Sequence, residues 1–424
     1  MSRTVLVRGA RQLLTLHAPR EPRRGPALKE LGIIRDGALL IEDGRIVEVG
    51  PSRRVENLAQ SRNAHEIDAT GRVVMPGFVD CHTHLVSGVP SLNESEGPAD
   101  RIEHQPGTFG LTIRPVRYSS TRRLESRARQ VIDGMIRHGT TTLEAQSGSG
   151  VDETGELKIL RVLAKLHKAP LDVVPTFLSP QAIPLSRTCT ELMPKIHRRG
   201  LARFAAFRYD EQVFNMEQAN RYLEAARGLG FRLKIHTGDG GQNLGVGLAV
   251  AQEAISADHL DNVDESDVEL LARSNTIAVL LPGSAFHMGC SRYAPARRLI
   301  DAGAAVALAT DFNPSTSPTY SMQMIVALAC AQMQMTPEEA ICAATFNAAC
   351  AIGCERRVGS LETGKSADLI ILNASDYREI PYHFGVNLVR MTVKRGETVY
   401  QEGKVGPPED VPRGPPAHRG LRLS

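Results

Sequence analysis

The stretch Pro76-Gly-Phe-Val-Asp-Cys-His-Thr-His84 ends an apolar run with two histidines one residue apart. Side chains alternate along an extended chain, so His82 and His84 would point to the same side of a strand. Taken alone, such a pair fits two hydrogen-bonded polar residues at a strand end as well as it fits a metal site. The decision depends on whether other ligand-type residues stand at comparable places.

They do. From about residue 75 to residue 356, apolar β-rich runs alternate with long helical stretches: VVMPGFVDCH, GTTTLEAQ, LDVVPTFL, RFAAFRYD, FRLKIHTG, AISADHL, TIAVLLPG and AVALATDF. Eight continuous rather than alternating apolar runs, separated by helices, are what a closed parallel barrel requires. The competing topology is an open doubly wound sheet, but no glycine-rich phosphate turn follows the first run. The expected fold class is therefore α/β, a (β/α)8 TIM-type barrel. His236 closes the fifth run, His259 the sixth and Asp311 the eighth. The C-terminal ends of barrel strands converge on one mouth, so these residues would meet the His82/His84 pair there and form a metal site. His138, His167 and His197 lie beside Lys or Arg in helical or loop stretches and read as surface residues.

Both ends of the chain read differently. Residues 1–74 carry short strands such as TVLVRGA and GALLIEDGRIVEVG, in which Asp43-Gly44 has the chemistry of a type I′ hairpin turn. HAPREPRRGPALKELG, between the first two strands, reads as a loop or insertion. Residues 357–404, with GSLETGKSADLIILN and RMTVKRGETVYQEG, return to strand-and-turn chemistry and are expected to complete a composite β-sandwich begun by residues 1–74. Residues 405–424, rich in Pro, Gly and Arg, read as a disordered tail.

A formal charge of +3 arises from 50 basic and 47 acidic residues that are interspersed, so neither nucleic acid nor an anionic membrane is the expected partner. Seven cysteines form no CxxC pair and are odd in number, which suggests free thiols in a reducing compartment. The amino terminus has no continuous apolar core of a leader, and no segment reaches about 18 uncharged apolar residues, so a cytoplasmic location is expected.

The stretches MPGFVDCHTHLV, GTTTLEAQSGSGVDETGELKIL, LLPGSAF, LATDFNPSTSPTYSMQMIVALAC and ATFNAACAIG together resemble the amidohydrolase superfamily, and within it the imidazolonepropionase-like subfamily, over nearly the whole chain. The resemblance implies one divalent metal, zinc with iron as the alternative, bound by His82, His84, His236 and Asp311. It implies that metal-activated hydroxide attacks the substrate, with Asp311 as proton acceptor and His259 polarising the carbonyl or imine. One metal rather than two is expected because Gln146 stands where relatives carry a non-bridging lysine and no lysine ends the fourth strand. The family's fifth-strand HxxE reads HTGD here, placing Asp239 at the Glu position as a candidate catalytic acid. A helix cap is the alternative role for Asp239.

The substrate contacts depart from the pattern. No Arg follows His84 at the family spacing, Ser149 replaces a Tyr, and Gln181 replaces a His. Ser149, Gln181 and Asn313 are the candidate substrate contacts, and the neutral donors and acceptors of Ser149 and Gln181 suit an uncharged or differently charged ring. Arg101 or Arg114, in the long stretch after the first strand, could supply a replacement anion contact, but ordinary loop charge is the favoured reading. The expected function is a metal-dependent hydrolase that opens a C–N bond of a cyclic amide, an imidazolone-like or lactam ring. A deaminase of an amino-heterocycle is the alternative, and a non-catalytic binding protein is the third reading. The expected partner is a small heterocyclic molecule, and a homodimer is admitted.

Overall fold

Eight strands pair in parallel and in sequence order: β1 Phe78–Asp80, β2 Thr140–Gln146, β3 Asp172–Leu178, β4 Phe204–Arg208, β5 Arg232–His236, β6 Ser256–Asp258, β7 Ile277–Leu280 and β8 Val306–Leu308. The computed structural model describes residues 4–403 apart from 18–19, 88, 92–99, 102–111, 115, 151, 168–169, 181, 211–212 and 238–243. All seven residues of β2 are buried, as a strand covered on both faces must be. Several of the intervening helices are amphipathic and capped by their own sequence. Thr121–Arg137 buries Leu124, Ala128, Ile132 and Met135, and the Ser120 side chain accepts from Arg123 N at its start. Among the described residues no helix is long and apolar enough to cross a membrane.

Strands β1 and β8 share no ladder, and the seam between them closes just past their ends. Asp311 N donates to His82 O (3.1 Å) and His84 N to Phe312 O (2.8 Å), with a parallel bridge between Thr83 and Phe312. Thr310 N also donates to Asp80 Oδ1 (3.0 Å).

The run VVMPGFVDCH, which reads as one strand, is divided. Val73–Pro76 pairs antiparallel with Leu369–Leu372 in a second sheet, and only Phe78–Asp80 enters the barrel. Gly77 makes the transfer: its N donates to Asp368 O (3.1 Å), the next residue's N donates to Gly139 O (2.9 Å), and a Cβ at 77 would overlap the Thr141 side chain.

The second sheet draws eight strands from both ends of the chain, among them Thr4–Leu14, Ile33–Glu42 and Arg45–Pro51 from the front and Val389–Lys394 and Glu397–Gln401 from the back. Asp43 and Gly44 both have positive φ, as a type I′ turn demands. Their hairpin meets the opposite end of the sheet, where Ala367 N donates to Gly44 O (2.9 Å) and Ile46 N to Lys365 O (3.0 Å). The sheet thereby folds over a core of Val5, Val7, Leu39, Ile41, Leu369 and Ile371. Lys394, buried, anchors this unit to the barrel by donating to Asp172 Oδ2 (3.0 Å) and Asp368 Oδ2 (2.6 Å).

The Pro/Arg-rich insertion is tied to the barrel through Asn347, which is fully buried. Arg23 N donates to Asn347 Oδ1 (2.8 Å), and Asn347 Nδ2 donates to Arg23 O (2.9 Å) and to Val306 O of β8 (2.8 Å). Asn347→Ala orphans three buried backbone groups and should cost roughly 2–4 kcal/mol, read as a lower urea midpoint. An unchanged midpoint would show that the insertion adds nothing to stability.

Candidate metal centre

The strand ends bring His82, His84, His236, His259 and Asp311 together. The ring of His82 lies 5.5 Å from His84, 4.6 Å from His236 and 5.1 Å from His259, and His236 lies 5.3 Å from His259. Asp311 Oδ1 is 3.6 Å from His82 Nε2 and 3.7 Å from His84 Nε2. Two ligand sets, His82/His236/His259 and His82/His84/Asp311, share His82, and within each the ligand atoms lie within 4.8 Å of one another. His259 and Asp311 are turned inward by left-handed backbone, with φ of 64° and 53°. Such conformations cost about 1–3 kcal/mol each in a non-glycine residue and persist only where neighbours hold them. Asp311 is held by its seam hydrogen bond, and the His259 carbonyl accepts from Thr237 Oγ1.

Beneath the rings lies a layer of buried charge. His82 Nδ1 is 2.7 Å from Asp258 Oδ2. That contact fixes the ring and leaves Nε2 for a cation, as a carboxylate behind a metal-binding imidazole does. Lys234, fully buried, donates to Cys81 O (2.9 Å) and lies 3.6 Å from Asp258 Oδ2 and 3.5 Å from Glu144 Oε1. Burial would raise Asp258, but the Lys234 charge and the His82 contact hold it down at about 2. Burial also lowers His84 and His236 well below the usual imidazole range, keeping both neutral. Burial would lower His82 too, but the hydrogen bond and charge of Asp258 raise it. Asp311 is pushed up to about 7 by burial, against the pull of His82 and Arg208.

The donor set fits a divalent cation. His82 Nε2, both ring nitrogens of His236 and Asp311 Oδ1 are buried with no hydrogen-bond partner. Each such atom costs about 1–3 kcal/mol unless another group engages it. Three imidazoles and one carboxylate suit a borderline ion such as zinc or ferrous iron.

The other expected residues are placed differently. Gln146 ends β2 buried, with Nε2 3.4 Å from His82 Nδ1 and Oε1 unpaired. Ser149 is exposed on a loop pinned by Glu156, whose carboxyl accepts from Gly148 N (2.9 Å) and Gly150 N (2.5 Å). Asn313 turns into its own loop: Oδ1 accepts from Ser315 N (2.9 Å) and Thr316 N (2.8 Å), and Nδ2 donates to Asp311 O (2.8 Å). Asp239 and Gln181 lie outside the described residues, as do the side chains of Arg101 and Arg114 and the tail from residue 404. Sequence reasoning missed Asp258, Lys234, Glu144 and Arg208. Lys234 stands two residues before His236, so the alternation that paired His82 with His84 could have found it.

The amidohydrolase family pattern matches residues 73–399, which includes the whole barrel. The imidazolonepropionase of Alkaliphilus metalliredigens is 38% identical over 417 residues, covering 95% of this chain and 99% of that protein. The imidazolonepropionase of Geobacillus kaustophilus is 40% identical over 425 residues, again covering 95% and 99%. The guanine deaminase of E. coli superposes with a TM-score of 0.70 over 94% of this chain and 99% of that one at 17% identity, a likeness of fold. The chain therefore belongs to the amidohydrolase family, in its imidazolonepropionase-like branch.

Proposed function

We propose that this chain is a metal-dependent hydrolase that opens a C–N bond of a cyclic amide, with an imidazolone ring as the substrate class its relatives suggest. The observation that carries the proposal is the convergence of buried, partnerless ligand atoms of His82, His236 and Asp311 at the barrel mouth. His82, His84, His236 and Asp311 would hold one ion, zinc in the first instance and iron as the alternative; a single ion accords with His82 being common to both ligand sets. When bound, the ion supplies Lewis acidity toward the ring carbonyl and makes water a competent nucleophile near neutral pH.

The chain's own residues do the rest. Asp311 accepts the proton that the attacking water gives up. His259, half-buried and lowered to about 3 by burial and by the His82 and Arg208 charges, is neutral and presents a ring N–H to the carbonyl oxygen as negative charge builds there. The fifth-strand acid Asp239 is assigned to returning a proton to the departing ring nitrogen. Ser149 is assigned with Gln181 to the substrate rim, and Asn313 to shaping the loop that carries Asp311. The setting is read as cytoplasmic, in keeping with seven free cysteines, four of them buried.

Zinc-loaded protein should consume imidazolone propionate, followed by loss of ring absorbance, without releasing ammonia. Ammonia release from amino-heterocycles with every cyclic amide left intact would replace this reading by deamination. His82→Ala and Asp311→Asn should lose bound metal, and turnover should fall by at least about 1,000-fold with it. His259→Asn should instead retain metal while kcat falls about 100- to 1,000-fold; loss of the metal would make His259 a ligand. Because Asp311 sits at about 7 and His82 is raised, both hold protons in part near neutrality, and a cation must displace them. Zinc titrated into metal-free protein at pH 7 should therefore release protons, and affinity should weaken as pH falls. A calorimetric heat independent of the buffer's ionisation enthalpy would contradict this.

A further inference from the structure

Arg208 is the last residue of β4 and pairs in register with His236 on β5, which in turn pairs with Asp258 on β6. Residues in register on neighbouring parallel strands face the same way, so Arg208 belongs to the layer that lines the mouth beside His236. Its base is fixed: Arg208 N donates to Ser179 Oγ (3.2 Å), and Tyr209 N donates to His236 O (3.0 Å). Its guanidinium is exposed and has no carboxylate partner among the described residues. Arg297 and Arg395, by contrast, are matched to Glu339 and Asp172.

The placement opposes the metal centre. The Arg208 charge acts on His84, His236, His259 and Asp311 alike, disfavouring positive charge among them. A fixed cation on the rim of a cation site is a liability unless something anionic comes to meet it. A guanidinium offers a planar fork of donors matched to a carboxylate. One such fork matches the two oxygens of a single carboxylate.

The geometry points to Arg208 as the anion contact of the substrate pocket: the ring that enters carries a carboxylate side chain, held by the Arg208 fork while the ring sits over His259 and Asp311. The inference deepens the ring-opening proposal and rests on it for the ring's position. It removes the expectation of an uncharged substrate that Ser149 and Gln181 suggested.

The test is calorimetric binding of two non-hydrolysable probes, imidazole-4-acetate and 4-methylimidazole, to zinc-loaded wild type, Arg208→Met and Arg208→Lys, with zinc content measured on each. Wild type should prefer imidazole-4-acetate by about 10- to 100-fold. Arg208→Met should abolish that preference with 4-methylimidazole affinity and zinc content unchanged, and Arg208→Lys should restore part of it. The proposal is overturned if wild type shows no preference for the carboxylate probe, if the preference survives in Arg208→Met, or if both probes weaken equally. Turnover of imidazolone propionate is scored separately: a protein that keeps the Arg208-dependent preference but leaves that ring intact loses the reaction and not the anion contact.

Discussion

The barrel closes through the residues that would hold its metal. Strands β1 and β8 are three residues long and share no ladder, so their union depends on the hydrogen bonds from Asp311 N to His82 O and from His84 N to Phe312 O. Three of the four backbone groups in these bonds belong to the ligands themselves, and the fourth belongs to Phe312, the residue after Asp311. The separation of Asp311 from the two histidines is therefore set by main-chain geometry, which varies far less than rotamers do. The left-handed backbone at Asp311 is the strained element of the seam, and the seam hydrogen bond with the Asn313 amide at its carbonyl holds it. Closing the fold and assembling the site are one event.

A second constraint lies one layer deeper. Lys234, Glu144 and Asp258 are all fully buried, one ammonium among two carboxyl side chains. Burying such a group is expensive, and an apolar replacement of the same shape is often no less stable, so stability does not explain its presence. Orientation does: Lys234 keeps Asp258 ionised, and Asp258 fixes the tautomer and tilt of His82. The mouth is thus layered along the barrel axis, with the Lys234, Glu144 and Asp258 cluster at the floor and the Arg208 cation at the rim. A cation is favoured below and an anion above, which is the arrangement that draws a carboxylate-bearing ring onto a metal centre.

The strand-end pattern made the barrel and its five convergent residues legible, because period-two alternation and barrel geometry together dictate where such side chains meet. Other features were hidden for physical reasons. The division of VVMPGFVDCH at Gly77 leaves no local mark, since VVMP and FVDC are equally apolar and only pairing with Leu369–Leu372 assigns the first half to another sheet. Asp258 and Lys234 look like interruptions of apolar runs, and their value appears only when three strands are laid side by side. Arg208 looks like the start of a polar loop until its register with His236 is known.

The candidate substrate contacts were harder still, and Asn313 shows why. A sequence displays an amide that could bind a ligand, but not whether its donors and acceptors already have partners. Here both ends of the Asn313 amide are engaged by its own loop, so it supports Asp311 from behind. The buried Glu156 carboxyl is likewise taken up, by the backbone of the loop that presents Ser149. Hydrogen-bonding capacity left unmet separates the two kinds of residue, because a polar group in a folded interior without a partner is costly and persists only where something else engages it. Among the ligand-type groups at the strand ends, that criterion picks out His82 Nε2, the His236 nitrogens and Asp311 Oδ1, with Gln146 Oε1 unpaired beside them. Arg208 meets it in the solvent-exposed form, as a charge with no countercharge beside a site that its field opposes. The machinery sits on strands and is readable from spacing, whereas recognition depends on which groups remain unpaired, a property of the folded chain alone.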